Sequence, residues 1–250
     1  MGLLKTNNSY TRGNMSKKLF VPIMLCCVIS LCAGCALGVK HDLATVKPHL
    51  SGKGSGDVAL AVHDQRPFIL NGNKKPDFIG LQRGGYGNPW DVHTKSGRPL
   101  SEDMVSAISN GLADAGLNTK AISASYSESP ASVRDRIVAI GDNRALLVTI
   151  TQWKTDTYVN VKLLYDLRAE VLDAKGIVLA HNEVRGEENL GGNFINPPAH
   201  AIRASPEAFG HKLEALVGSP TILDALMGGT DRITPAKTTA AVGKNAQPQN

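Results

Sequence analysis

Beyond residue 35 this 250-residue chain has no cysteine; Cys26, Cys27, Cys32 and Cys35 all lie close to its start. That distribution excludes a disulfide framework within the body of the chain. It also argues against a structural zinc site, which draws about four ligands, usually from two separated pairs. The C-x-x-C spacing of Cys32 and Cys35 lies in an apolar leader, away from any strand-to-helix turn that would make it a redox pair. Aromatic residues are scarce, at twelve, which fits a modest core. The chain has no G-x-S-x-G, no H-E-x-x-H and no Gly-Lys-Ser/Thr of a phosphate loop. No catalytic residue is therefore assigned, and the chain is expected not to be an enzyme.

Charge of one sign is also nearly absent once the leader is set aside. The formal net charge is +5, but Lys5, Arg12, Lys17 and Lys18 all precede Cys35. Removing four of the 27 basic residues leaves 23 against 22 acidic ones. A near-neutral body lacks the basic footprint that binding to phosphates needs, so no nucleic-acid partner is expected. The seven histidines are scattered. His63 and Asp64 are adjacent on a strand and point to opposite faces. His93, His181 and His200 show no ligand spacing, and no metal is expected.

What the leader does contain is ordered. "MSKK" at residues 15–18 supplies positive charge, "LFVPIMLCCVISLCAGC" is an apolar run, and small residues precede the last cysteine. This is the order of a secretory signal, and the run falls short of the ~20 residues that span a bilayer comfortably. Met15 makes the better start. "LCAGC" resembles the lipobox of bacterial lipoproteins, with Ala33 and Gly34 before the modified residue, Cys35; Leu31 stands one place early, with Cys32 at −3. The resemblance implies covalent acyl chains on Cys35 as the only added group, no cofactor, and attachment to a membrane through that lipid. The residue after Cys35 is Ala36 rather than Asp, which by the same resemblance implies sorting to the periplasmic face of the outer membrane.

The expected organisation is a signal peptide over 1–34, a lipidated cysteine and flexible tether over 35–56, a globular domain over 57–227, and a disordered tail over 228–250. Within the domain, "DVALAVHDQRP" reads as a buried strand limited by Pro67. "LSEDMVSAISNGLADAGLN" reads as a helix with Ser101 as N-cap and a stripe of Met104, Ile108 and Leu112. "SPASVRDRIVAIG" reads as a second helix, with Pro130 at its first position. "ALLVTITQW" and "TYVNVKLLYDLRAEVLD" read as strands. The latter alternates Val161, Leu163, Leu167 and Val171 against Lys162, Asp166, Arg168 and Glu170. "DAKG" turns the chain back, and "SPEAFGHKLEALVG" is a last helix starting at Ser205. The fold class is α/β (α+β): a single domain with a mixed sheet, order β-α-β-α-β-β-β-α, and helices packed on one face.

Residues 76–100 read as a long loop. They carry Phe78, Tyr86 and Trp90, a quarter of the aromatics, together with Arg83 and Arg98. Loops of this length are usually functional or disordered, and disordered segments are poor in aromatics. Two readings are open: Arg83, Tyr86, Trp90 and Arg98 form a loop that binds a partner, or the aromatics pin an ordered loop over the sheet edge and Arg83 pairs with Asp64 or Asp91. Asp64 and Arg66 are a candidate structural polar pair.

"VALAVHDQRP", "FIGLQRGGYGN" and "LSEDMVSAISNGLADAGL" in this order resemble the YajG-like family of bacterial lipoproteins. The resemblance covers most of residues 35–217. It implies a small periplasmic α/β domain on a membrane anchor. The function expected is a non-catalytic binding module of the cell envelope with a periplasmic or envelope protein partner. The alternatives are a structural accessory subunit of an envelope transport or assembly complex and, last, an envelope-polymer hydrolase.

Overall fold

The computed structural model describes residues 39–140 and 143–228. The leader, Cys35 and the tail from 229 onward lie outside the described residues. In chain order the elements are β1 (Lys40–His41), β2 (Asp57–Asp64), α1 (Pro67–Leu70), β3 (Phe78–Arg83), β4 (Pro89–Thr94), α2 (Leu100–Asp114), β5 (Asn118–Ile122), α3 (Pro130–Ile140), β6 (Arg144–Thr157), β7 (Asn160–Asp173), β8 (Val178–Gly192), α4 (Pro197–Val217) and α5 (Pro220–Leu226).

Eight strands form one mixed sheet. Its path is β1-β4-β3-β6-β2-β5, and β7 and β8 are joined through the other edge of β6. The β6-β7-β8 meander is antiparallel, as its alternation requires. Asp173 holds the β7–β8 turn by accepting from the Lys175 and Ile177 amides. β6 is the trunk of the sheet. Its first half pairs in parallel with β2, from Ala145 to Ile150, and its last residues pair in parallel with β3, from Thr155 to Thr157. Between them lies a fork where neither strand lines β6, next to a register shift between Ile150 and Gln152.

Successive residues of β2 and β6 serve opposite faces. Val58, Leu60, Val62, Leu146, Val148 and Ile150 join the main core with α2, α4 and α5. Ala59, Ala61, Ala145 and Leu147 meet Val133 and Ile137 of α3 on the other side. The mixed α+β sheet is as expected, but helices on one face describes α2, α4 and α5 only. The alanines of β2 provide the second, shallower face on which α3 sits.

Four further expectations are corrected. The stretch 76–100 is no loop; it holds the β3–β4 hairpin, with α1 before it, so the strand order is longer than foreseen. The segment foreseen as a tether belongs to the domain from Val39 onward. Leu43 and Leu50 lie in the core, and the His49 amide donates to Glu214 at 2.7 Å. Pro99, not Ser101, caps α2, and Ser101 is buried in the first turn. α4 begins eight residues before Ser205, with Asn196 accepting from the Ala199 amide at 3.1 Å, and it runs through Pro206. The start signal Asn-Pro-Pro outweighs the hydrogen bond that Pro206 removes, because the buried stripe of Phe209, Leu213, Leu216 and Val217 holds the later turns.

His41 on β1 is 1 % exposed, and neither ring nitrogen has a partner. Burial lowers its pKa from 6.5 to about 4, so the folded state keeps the imidazole neutral. Below pH 6.5 the unfolded chain takes up a proton that the folded chain refuses. Stability from this residue is therefore complete above 6.5 and is lost as pH falls toward 4. The loss amounts to about 3 kcal/mol. Asp103, whose pKa burial raises, acts in the opposite direction. Comparing wild type with His41→Leu removes that contribution. Urea unfolding at pH ~7 and ~4.5 should show the wild type losing about 2–3 kcal/mol more than the variant. Equal losses would refute a neutral, buried His41.

Candidate functional site

Strand direction decides which turns meet. β3 and β6 run in parallel and end together at Arg83 and Thr157, where β4 and β7 begin and β8 finishes. Three connections therefore cluster at one end of the sheet: the hairpin tip 84–88, the β6–β7 turn at 158–159, and the segment 193–196 leading into α4. Tyr158 ties two of them, its hydroxyl donating to the Gly85 carbonyl at 3.2 Å. A cleft of about 460 Å³ opens among them, lined by Gln82, Arg83, Trp90, Tyr158, Phe194 and Pro197.

Large apolar side chains face solvent around that cleft. Tyr86 is 102 % exposed, Ile195 93 %, Phe194 84 %, Trp90 52 % and Tyr158 49 %. Single exposed hydrophobics are ordinary, whereas several at one end of a molecule mark a contact surface. The Trp90 indole lies over Gly84, where an added Cβ would come within 2.6 Å of ring atoms. The glycine is what lets the ring lie across the hairpin tip.

The charged groups of this end are satisfied within the fold. Arg83 donates through Nε and Nη2 to the two oxygens of Asp156, each at 2.7 Å, and through Nη1 to the Gly87 carbonyl at 3.4 Å. The bidentate pair holds the Asp156 carboxyl below its ordinary range and raises the Arg83 guanidinium above its own. Arg83 thus stiffens the cleft floor.

Of the residues singled out from sequence, the structure brings Arg83, Tyr86 and Trp90 together and leaves Arg98 apart. Arg98 follows the far end of β4 and reaches back to α2, donating to Asp103 at 3.1 Å and to Ser106 at 3.2 Å. The Arg83 partner is Asp156, neither Asp64 nor Asp91; Asp91 pairs with Lys74. Asp64 and Arg66 form an interior ion pair with no access to the cleft. Sequence reasoning missed Tyr158, Phe194 and Ile195. The available signal was apolar residues among turn formers, "GGNFINPP", since an exposed turn gives Phe and Ile nothing to pack on. Among the described residues no group of three histidines, cysteines or carboxylates is placed to hold a metal ion, and no helix is long and apolar enough to cross a membrane.

No protein-family model matches the chain, and no curated protein matches it. Among solved structures it is similar to a Xanthomonas campestris protein described by the DUF330 family model. The identity is 11 % and the TM-score 0.45, over 73 % of this chain and 92 % of that one. It is similar to the PelC dodecamer of Paraburkholderia phytofirmans at 12 % identity and TM-score 0.36, over 73 % and 94 %. It is also similar to the lipoprotein GNA1162 of Neisseria meningitidis at 12 % identity and TM-score 0.24, over 63 % and 99 %. At these values the function has to be argued from the chain's own residues.

Proposed function

We propose that this chain is a lipid-anchored, non-catalytic module of the bacterial cell envelope, similar to the YajG-like lipoproteins, that works through contacts made by its aromatic end. The observation that carries the reading is the concentration of Tyr86, Trp90, Tyr158, Phe194 and Ile195 around one cleft whose charged groups, Arg83 and Asp156, neutralise each other. A surface of this kind is suited to binding rather than to proton transfer or nucleophilic attack. The leader and the "LCAGC" sequence support attachment through Cys35, and Ala36 supports the periplasmic face of the outer membrane.

Attachment is tested by growing cells with an acyl-chain precursor that can be labelled. Wild type should carry label and fractionate with outer membranes, and Cys35→Ala should lose both. Unlabelled wild type, or a variant that stays acylated, would refute the anchor. A second reading, an accessory subunit of an envelope complex, is supported by β8. Its fifteen residues pair only with β7 among the described strands, leaving an edge on which a partner strand can add. A photo-crosslinker at Arg185, exposed on β8, should then capture a protein in intact envelopes.

A further inference from the structure

The strand pairing at the start of the domain indicates what the aromatic end touches. β1 runs parallel to β4, with Lys40 opposite His93 and His41 opposite Thr94. The His93 amide donates to the Val39 carbonyl at 3.2 Å. β4 runs away from the hairpin tip, so β1 does too, and the chain comes into β1 from the tip side. Cys35 is four residues before Val39. Four Cα–Cα steps span at most about 15 Å. Trp90 lies three residues from His93 toward the tip, about 10 Å at strand rise. Chain length therefore keeps a lipid on Cys35 within about 15 Å of Val39, near enough to share one bilayer with the exposed aromatics.

We infer that the occupant of this end is the membrane itself: Tyr86, Trp90, Tyr158, Phe194 and Ile195 enter the interfacial layer of the bilayer that holds the Cys35 lipid, so that the domain docks end-on. The inference rests on the reading of Cys35 as lipidated and adds the class of surface bound. Tyr and Trp favour the headgroup level, where one end of the ring is apolar and the other wet, and Phe and Ile suit the acyl boundary beneath it. Tyr86, Tyr158, Phe194 and Ile195 lie on three separate turns, and Trp90 lies at the start of β4 beside them. Asp156, at the end of β6 beside the cleft, is neutralised by Arg83, which lowers the cost of bringing this end to the lipid. Lys40, exposed where the chain comes in, suits anionic headgroups.

The two tryptophans make the test direct, because Trp90 is half-exposed at this end and Trp153 is buried in the core. Full-length lipidated protein, its acylation confirmed by mass, is reconstituted into phosphatidylethanolamine–phosphatidylglycerol vesicles brominated near the top of the acyl chains. Wild type should lose up to about half of its tryptophan emission, and Trp90→Phe should lose none, since only Trp90 meets the interface. Trp153 emission and the melting temperature report that the variant is folded. A protein without acyl chains removes the anchor reading and this inference with it. An acylated, vesicle-bound protein with unchanged emission overturns this inference alone. In cells, a photo-crosslinker at Phe194 should yield lipid adducts; a protein adduct in their place would show a protein partner there instead and overturn it as well.

Discussion

Arg66→Ala should cost about 3–5 kcal/mol of stability, the loss expected when one member of a buried ion pair is removed. Its guanidinium is completely buried, and it lies at the fork where β6 passes from β2 to β3. There it reaches three backbone carbonyls. Arg66 donates to the Phe78 carbonyl at 2.6 Å, to that of Pro76 at 3.1 Å and to that of Trp153 at 3.4 Å. Its Nε and Nη2 meet the two oxygens of Asp64 at 2.9 and 2.6 Å. A planar group with five N–H donors can serve a carboxylate and three carbonyls at once, whereas an ammonium with three cannot. Arg66→Lys should accordingly recover little. Many buried ion pairs can be replaced by apolar residues at no cost. Here Asp64→Leu combined with Arg66→Met should stay destabilised, because the Phe78 and Trp153 carbonyls lose the donor that Arg66 supplies. Urea unfolding of the three variants measures this, with melting temperatures lower by about 10 °C for the single alanine. Arg66→Ala within about 1 kcal/mol of wild type would contradict the role of the pair at the fork.

The fork also shows why part of the fold could be read from the sequence and part could not. β7 was legible because Val161, Leu163, Leu167 and Val171 alternate with polar residues over one core face. α2 was legible because Met104, Ile108 and Leu112 recur at helical spacing, although its first residue was not. β3 escaped because it is sandwiched between β4 and β6 and has Gly80 where β6 comes closest. A Cβ there would meet the Thr155 backbone at 2.6 Å. The close approach selects a residue that reads as a loop. The segment from Val39 to Gly56 escaped because its core residues, Leu43 and Leu50, follow no period. α4 escaped because Pro206 looked like a beginning. At the site, Arg83, Tyr86 and Trp90 stood out as aromatics and a cation in a turn-rich stretch. Phe194 and Tyr158 did not, since their nearness to Trp90 is set by the parallel alignment of β3 with β6 and by the finish of β8, a consequence of topology with no local signature. Arg98 was misread because its partner, Asp103, lies on the next helix, five residues on.

The two tryptophans should part company on mutation as they do in burial. Trp153→Ala should cost about 3–5 kcal/mol, the range for deleting a large buried aromatic. Trp90→Ala should stay within about 1 kcal/mol, since half of its surface already faces water. Trp153 follows the register shift in β6 and is 1 % exposed. Its ring stands edge-on to Phe209 of α4, with centroids 5.1 Å apart and planes at 84°. That geometry sets the positive ring edge against the negative face and adds about 0.5–1.5 kcal/mol to the area buried. The contact joins the sheet to α4 one turn after Pro206, where the helix lacks a backbone hydrogen bond. The later turns of α4 thus depend on packing rather than on helix propensity. Losing the indole should therefore loosen α4 beyond Pro206 as well as open a cavity. Urea unfolding followed by circular dichroism gives the stability loss, and amide hydrogen exchange over residues 207–217 should accelerate in Trp153→Ala but not in Trp90→Ala. Equal stability of the two variants would place both rings at the surface and remove the distinction between the tryptophan that holds the fold and the one that makes its contacts.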